Sequence, residues 1–185
     1  MDNGESSYRR FLDGDDEGFD DIVRTYKDGL ILYLNGYVNN IYTAEEVAED
    51  TFFRLLTKKP KFSGKSSFRS WLYSIGRNIA VDYVRKKSRL QDVPLENIDE
   101  YISDETDLER AYIREEQKIA VHRALAMIPV DYRQILWLSY FEGFTNKEIS
   151  VVMMKNERQI RNLLYRAKQS LKSELEKEGF VYEEF

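Results

Sequence analysis

Apolar residues recur along this chain at intervals of three and four, the spacing of one face of an α-helix, and nowhere alternate long enough to suggest a strand. Phe19, Ile22, Val23 and Tyr26 form the first stripe, behind the acidic lead Asp15, Asp16 and Glu17, which suits the positive end of a helix dipole. Leu30, Ile31, Leu34, Tyr37 and Val38 continue as a second helix ending at Asn39-Asn40. Thr43 and Glu46 have capping-box spacing and open a third helix, with Val47, Ala48, Thr51, Phe52 and Leu55 on one side. Lys58-Lys59-Pro60 stops it, because proline disfavours helix in the residue before it. Lys61 to Ser66 is a loop by its Gly and Ser content. Ser66 or Ser67 then caps a long helix carrying Phe68, Trp71, Leu72, Ile75 and Ile79. The first half is thus expected to be a bundle of about four helices.

The texture changes after Leu90. Asp92, Glu96, Asp99, Glu100, Asp104, Glu105, Asp107 and Glu109 follow with no Lys or Arg among them, and Pro94 interrupts any helix, so this stretch is a linker. Helical spacing returns from Arg110 through Ile113, Ile119, Ala120, Ala124, Leu125 and Ile128 to Pro129, and again over Tyr132, Ile135, Leu136, Leu138 and Tyr140. Two further helices follow between Thr145 and Lys168. Thr145 and Glu148 cap the first, whose apolar face is Ile149, Val152 and Met153; Asn156 and Gln159 cap the second. Ile160, Leu163, Leu164, Ala167, Leu171 and Leu175 fall on one side of that second helix, and Arg158, Arg161, Asn162, Tyr165, Gln169 and Lys172 on the other. An apolar back and a cationic, amide-bearing front behind a short crossing helix is the layout of a helix-turn-helix reader of the DNA major groove. It is also the layout of an ordinary surface helix pair. The expected fold is all-α: a helical domain over 1–89, an acidic linker over 90–109, a helix-turn-helix domain over 110–178, and an unassigned tail over 179–185.

Composition narrows the chemistry. Hydrophobic residues make up 42% of the 185, enough for compact cores. Cysteine is absent, which excludes disulfides, zinc-thiolate sites and thiol nucleophiles and fits a reducing cytoplasm. The N-terminal stretch is polar and acidic, without the apolar core of a signal peptide, and no run approaches the ~18 apolar residues of a membrane span. The one histidine, His122, sits inside a helical pattern and has no nucleophile to serve. Gly64-Lys65-Ser66 matches only the end of a phosphate-binding loop, without its first glycine or its strand. No enzyme, metal or cofactor is expected.

Charge redirects attention to nucleic acid. The net charge is -5, yet cations gather in Arg77 to Arg89 and in Lys155 to Lys172, and distribution matters more than the sum. The helix after Ser67 combines Phe68, Trp71, Tyr73 and Tyr83 with Arg69, Arg77, Asn78, Arg85, Lys86 and Lys87. Cations contact phosphates and aromatics stack on unpaired bases, although an aromatic buried in the core cannot also receive a base. A single-strand surface in one domain and a duplex reader in the other suit a protein that holds DNA being opened.

Three segments, in order, carry a family resemblance: AEEVAEDTFFRLL at 44–56, FSGKSSFRSWLYSIGRNIAVDYVRKK at 62–87, and the stretch at 124–175 that begins ALAMIPVDYRQILWLSYFEGFTNKEIS. They resemble, respectively, the core-polymerase-gripping helix of region 2, the promoter −10 segment, and region 4 of extracytoplasmic-function sigma factors in the sigma-70 family. The resemblance implies a sigma factor that directs core RNA polymerase to specific promoters and assists DNA opening, acting in the cytoplasm. By that likeness Glu49, Asp50, Phe53 and Arg54 dock on core polymerase. The single-stranded −10 set is Phe62, Ser63, Lys65, Arg69, Trp71, Asn78, Asp82, Arg85 and Lys86. The duplex −35 set is Arg158, Gln159, Arg161, Asn162, Tyr165 and Arg166. An anti-sigma factor is a candidate partner, and direct membrane insertion is not expected. Two departures stand out. Met153-Met154 replaces the family's leucine-glycine at the bend, where glycine eases positive φ. Arg158, Gln159, Ile160 and Arg161 replace its small residue and Thr-Val-Lys, so the duplex sequence cannot be borrowed from relatives. The rivals are a helix-turn-helix activator that binds DNA without being a polymerase subunit, and a helical adaptor that binds no DNA.

Overall fold

The computed structural model describes residues 3–90, 121 and 123–177, all helix and connecting turns with no strand among them. The linker beyond Leu90, the helical start at Arg110, His122 and the tail lie outside the described residues. The chain opens with a helix that the apolar pattern did not announce, α1 (Asn3–Leu12). Its buried side is made by two aromatics three apart, Tyr8 and Phe11. Tyr8 Oη donates to the Pro60 carbonyl at 2.8 Å, tying α1 to the loop that leads into the long helix, and burial pushes its phenol up to about 12. Arg10 clamps the following turn, holding Asp15 at 2.7 Å and Asp21 at 2.9 Å.

The two helices expected from Phe19 to Val38 are one, α2 (Glu17–Val38). Lys27-Asp28-Gly29 separates the two apolar stripes but does not break the helix. Gly29 serves close approach instead: a Cβ there would lie 2.7 Å from the Tyr73 hydroxyl. Asn39, left-handed at φ 51, closes α2. The cap of α3 (Ile41–Lys58) is Asn40, whose Oδ1 accepts the Thr43 N–H at 3.0 Å. The expected Thr43–Glu46 box is therefore displaced three residues, because Asn40 is extended and able to cap while Thr43 already lies inside the first turn. Lys59 does end α3, but as a left-handed cap at φ 42 rather than the extended residue that proline usually imposes.

Ser67 starts α4 (Phe68–Leu90), its Oγ accepting the Ser70 N–H at 3.3 Å. Tyr8, Phe62, Phe68 and Trp71 pack together at the head of α4, with ring centroids 5.1 to 5.7 Å apart for the contacting pairs. Such pairs add about 0.5–1.5 kcal/mol each beyond the area they bury.

After a helical run over 123–127, α5 (Val130–Leu136) is fastened by Arg133, which donates to the carbonyls of Leu125 and Ala126, both at 2.9 Å. It passes into a π-helical turn, Trp137–Phe141, in which the Glu142 N–H reaches the Trp137 carbonyl at 3.1 Å. Then come α6 (Asn146–Met153) and α7 (Glu157–Lys177). Thr145 and Glu148 form the expected capping box, and Asn156 and Gln159 exchange reciprocal bonds at 2.9 Å.

The two halves share one core. Leu30, Leu34, Phe68 and Tyr73 from the first belong to the same buried cluster as Ile135, Leu138, Phe144, Ile149 and Ile160 from the second. Helix α4 lies along α6, and α2 touches α5.

Candidate nucleic-acid interface

On α7, burial separates the two faces seen in the sequence. Ile160, Ala167 and Leu175 are buried, whereas Arg158, Gln159, Arg161, Asn162, Tyr165 and Arg166 are all exposed. The front is held open by weak local ties. Arg161 reaches Glu157 at 3.9 Å, and Gln159 Oε1 accepts the Asn156 N–H in the cap, so the donors of the Gln159 amide are not used in that cap. At the bend, Met154 takes the left-handed conformation at φ 55, ψ 41 with its side chain 71% exposed. The bend geometry of the motif is thus retained without its glycine.

The residues expected at the −10 strand fall into three groups along α4 and the loop before it. Ser63 and Lys65 are exposed on the loop. Phe62 and Trp71 are half-buried in the aromatic cluster, their centroids 5.1 Å apart, so each keeps only part of its ring accessible. Asn78, Asp82, Arg85 and Lys86 form an exposed strip at helical spacing down the rest of α4, with Asp82 and Arg85 3.9 Å apart. Arg69 stands apart from these groups, because it is turned toward the C-terminal half.

That contact centres on Glu142, whose side chain is only 7% exposed. Arg69 Nη2 pairs with Glu142 Oε2, and Arg69 Nη1 donates to the Glu142 carbonyl at 2.8 Å. Tyr73 Oη donates to Oε2 at 3.0 Å, and Trp137 Nε1 to Oε1 at 3.2 Å. Burial, and then the Glu142 charge, hold the Tyr73 phenol well above its ordinary value. The Arg69 guanidinium also lies 4.6 Å from the Phe144 ring centroid. Beside this cluster, Ser67 Oγ donates to Glu148 Oε1 at 2.9 Å, joining the cap of α4 to that of α6.

The face of α3 expected to meet polymerase is open. Glu49, Asp50, Phe53 and Arg54 are all exposed, Phe53 to 62%. Leu56 and Tyr42 are exposed on the same helix.

Residues 22–90 match the family Sigma-70 region 2, and residues 118–171 match Sigma-70, region 4. The chain belongs to the sigma-70 family. Its relatives are RNA polymerase sigma factors: the RNA polymerase sigma-H factor of Pseudomonas aeruginosa is 29% identical over 171 residues, covering 88% of this chain and 89% of that protein. The ECF RNA polymerase sigma factor SigW of Bacillus subtilis is 25% identical, covering 88% and 91%. The Bartonella quintana sigma factor RpoE, solved in complex with the anti-sigma factor NepR, shares the fold with a TM-score of 0.70 at 22% identity, over 85% of this chain and 96% of that one. Promoter-specific transcription initiation follows as the function of this sigma factor, and an activator acting apart from polymerase is not favoured. Sigma factors are in general non-catalytic. Among the described residues no helix is long and apolar enough to cross a membrane, and no acidic or histidine cluster is built to hold a metal.

Sequence reasoning did not single out α1 or Glu142. The first had a signal, the Tyr8–Phe11 spacing, set in an otherwise polar stretch. The second had none, because its position depends on the π-helical turn.

Proposed function

We propose that this sigma factor grips promoters at two points, with α7 in the −35 major groove and α4 with its preceding loop on the separated −10 strand. The single observation that best supports this is the division of faces on α7. Arg158, Gln159, Arg161, Asn162, Tyr165 and Arg166 form one exposed surface above a buried Ile160–Ala167–Leu175 back. Arg and amide side chains on a helix front can address base edges and phosphates together.

In the −10 region, Phe62 and Trp71 offer aromatic edges for a flipped base, while Lys65, Arg69, Arg85 and Lys86 contact the backbone. Asn78 and Asp82 supply amide and carboxylate groups to base edges. Unstacking a base costs a few kcal/mol, which stacking and phosphate contacts offset. On α3, Glu49, Asp50, Phe53 and Arg54 form the polymerase dock, the apolar ring of Phe53 giving the buried centre that such an interface needs. The domains run over 1–89 and 110–178, with the acidic linker 90–109 passing through polymerase channels otherwise occupied by nucleic acid. The polymerase performs nucleotidyl transfer, the protein acts in the cytoplasm, and an anti-sigma factor restrains it as NepR binds its sigma partner.

The test is direct. The purified chain is added to core RNA polymerase on a genomic promoter library and the transcripts are sequenced. Start sites sharing one pair of upstream elements are expected. Failure to bind core polymerase, or transcripts unchanged from core alone, would sink the proposal.

A further inference from the structure

Helix α1 lies ahead of the stretch that matches region 2, which begins at residue 22, and it is built onto the entry of the −10 loop. Tyr8 and Phe11 are 1% and 2% exposed. A Cβ on Gly4 would run into the Tyr26 hydroxyl and the Phe68 ring, so α1 sits hard against α2 and α4. From there its two aromatics take hold of two successive loop residues. Phe11 receives the Lys59 ammonium 4.5 Å from its ring centroid, and Tyr8 Oη donates to the Pro60 carbonyl at 2.8 Å. The Tyr8 ring also lies 5.4 Å from both Phe68 and Trp71. Helix α1 thus holds the start of the loop and its aromatic cluster at once.

We propose that Tyr8 is a positioning residue for strand capture: by fixing the Pro60 carbonyl beside Trp71 it sets where Phe62 stands, and so shapes the place a flipped base enters. The role rests on the reading of Phe62 and Trp71 as the capturing pair, and Tyr8, buried among them, touches no base itself. Packing alone does not call for the hydroxyl. Phenylalanine would fill the same space, and a buried hydroxyl is costly unless it is paired. Here the pairing runs to a loop carbonyl 52 residues further along the chain. Pro60 has a locked φ, so the direction in which its carbonyl is held fixes the path of Lys61 toward Phe62. Two residues span at most about 7 Å, too short a reach to absorb a shift at Pro60. Phe62 then meets Trp71 at 5.1 Å and Phe68 at 5.7 Å. Lys59, just before, is left-handed at φ 42, a conformation that a lysine keeps only where its surroundings over-determine it, and the Phe11 ring is one of those surroundings. A loop ordered before the strand arrives loses less freedom on binding, and the difference appears as affinity for the base.

The test separates base capture from folding and from backbone charge. Holoenzyme is reconstituted from core polymerase and the full-length chain. Fluorescence anisotropy gives its affinity for a labelled non-template strand spanning a −10 element recovered from the promoter library, intact or with a single abasic site stepped along it. The intact-to-abasic ratio reports the captured base, since the phosphates are the same in both strands. The wild-type ratio is expected to peak at one position. Tyr8→Phe, which keeps the ring and removes the Pro60 bond, is expected to lower that peak roughly three- to tenfold, the worth of one net hydrogen bond, with affinity for the abasic strand unchanged. Lys59→Gly is expected to lower the peak without lowering the thermal midpoint, because glycine holds φ 42 without strain. It tests the brace from the loop side should Tyr8→Phe fold poorly. Arg10→Gln breaks the ties from α1 to Asp15 and Asp21, and lowers the thermal midpoint while leaving the ratio unchanged. A wild-type peak in Tyr8→Phe overturns the proposal. So does an equal loss on intact and abasic strands, or a fall in Arg10→Gln as large as in Tyr8→Phe, since either makes Tyr8 a folding residue only. A wild-type holoenzyme with no peak at any position is a different failure: the −10 reading falls and takes the positioning role with it.

Discussion

Met154 carries the clearest local cost in the molecule. A side chain in the left-handed region costs about 1–2 kcal/mol relative to glycine, and this one is 71% exposed, so burial does not offset it. Met154→Gly is expected to stabilise the chain by roughly 0.5–1 kcal/mol, less than the full relief because glycine also frees the unfolded chain. Urea unfolding checks this, and a loss of stability would show that the methionine side chain makes contacts that matter. Glu148 makes a second prediction at this scale. Burial pushes its pKa up, but the Thr145 N–H and hydroxyl, the Ser67 hydroxyl and the Arg69 charge more than reverse this, leaving it below its ordinary value of 4.5. A carboxylate with a depressed folded pKa adds stability that is fully present above the unfolded value and is lost as pH falls through the folded one. Glu148→Gln should therefore flatten the fall in stability below pH 4.5 as well as lower stability at neutral pH. An acid limb as steep as the wild type's would remove Glu148 from it.

At the scale of elements, what was legible is what local chemistry decides. The Thr145 and Asn156 caps and the two faces of α7 follow from side chains three and four apart, and they stand in the structure where the sequence places them. The element errors have a different origin. α2 reads in the sequence as two helices because its apolar stripe is interrupted over Lys27-Asp28-Gly29, while in the fold the helix runs through and the bare Cα of Gly29 admits Tyr73. The start of α3 was misplaced because Asn40, Thr43 and their neighbours offer competing caps, and the left-handed Asn39 decides between them. Two faces make a paired prediction. Arg158→Ala with Arg161→Ala should reduce initiation that depends on the −35 element by tenfold or more, on the order of 1–3 kcal/mol per base-reading side chain, with core binding intact. Phe53→Ala with Arg54→Ala should do the reverse, weakening association with core polymerase without changing which promoters are chosen. Equal losses of core binding and promoter choice in both double variants would mean that the faces are not separable.

For the whole molecule, the seam between halves is the feature on which further behaviour depends. Gly36 lies where a Cβ would run into the buried amide of Gln134. Gly36→Ala should therefore open the seam, seen as a larger radius of gyration by X-ray scattering, with helix content unchanged. An unchanged radius would show that α5 can shift to make room. The sequence alone determined the helical class, the order of the segments that belong to the sigma-70 family and the cationic front of α7. Each of these depends on periodicity, composition or neighbours within a turn or two. Only the tertiary structure decided that Arg69 faces Glu142 rather than solvent, that α1 completes the first bundle through Tyr8, and that glycines in α2 are contact points. The partners in these cases stand far apart along the chain. Arg69 and Glu142 are brought together by a π-helical turn and by the packing of α4 on α6, and no pattern within either segment encodes that meeting.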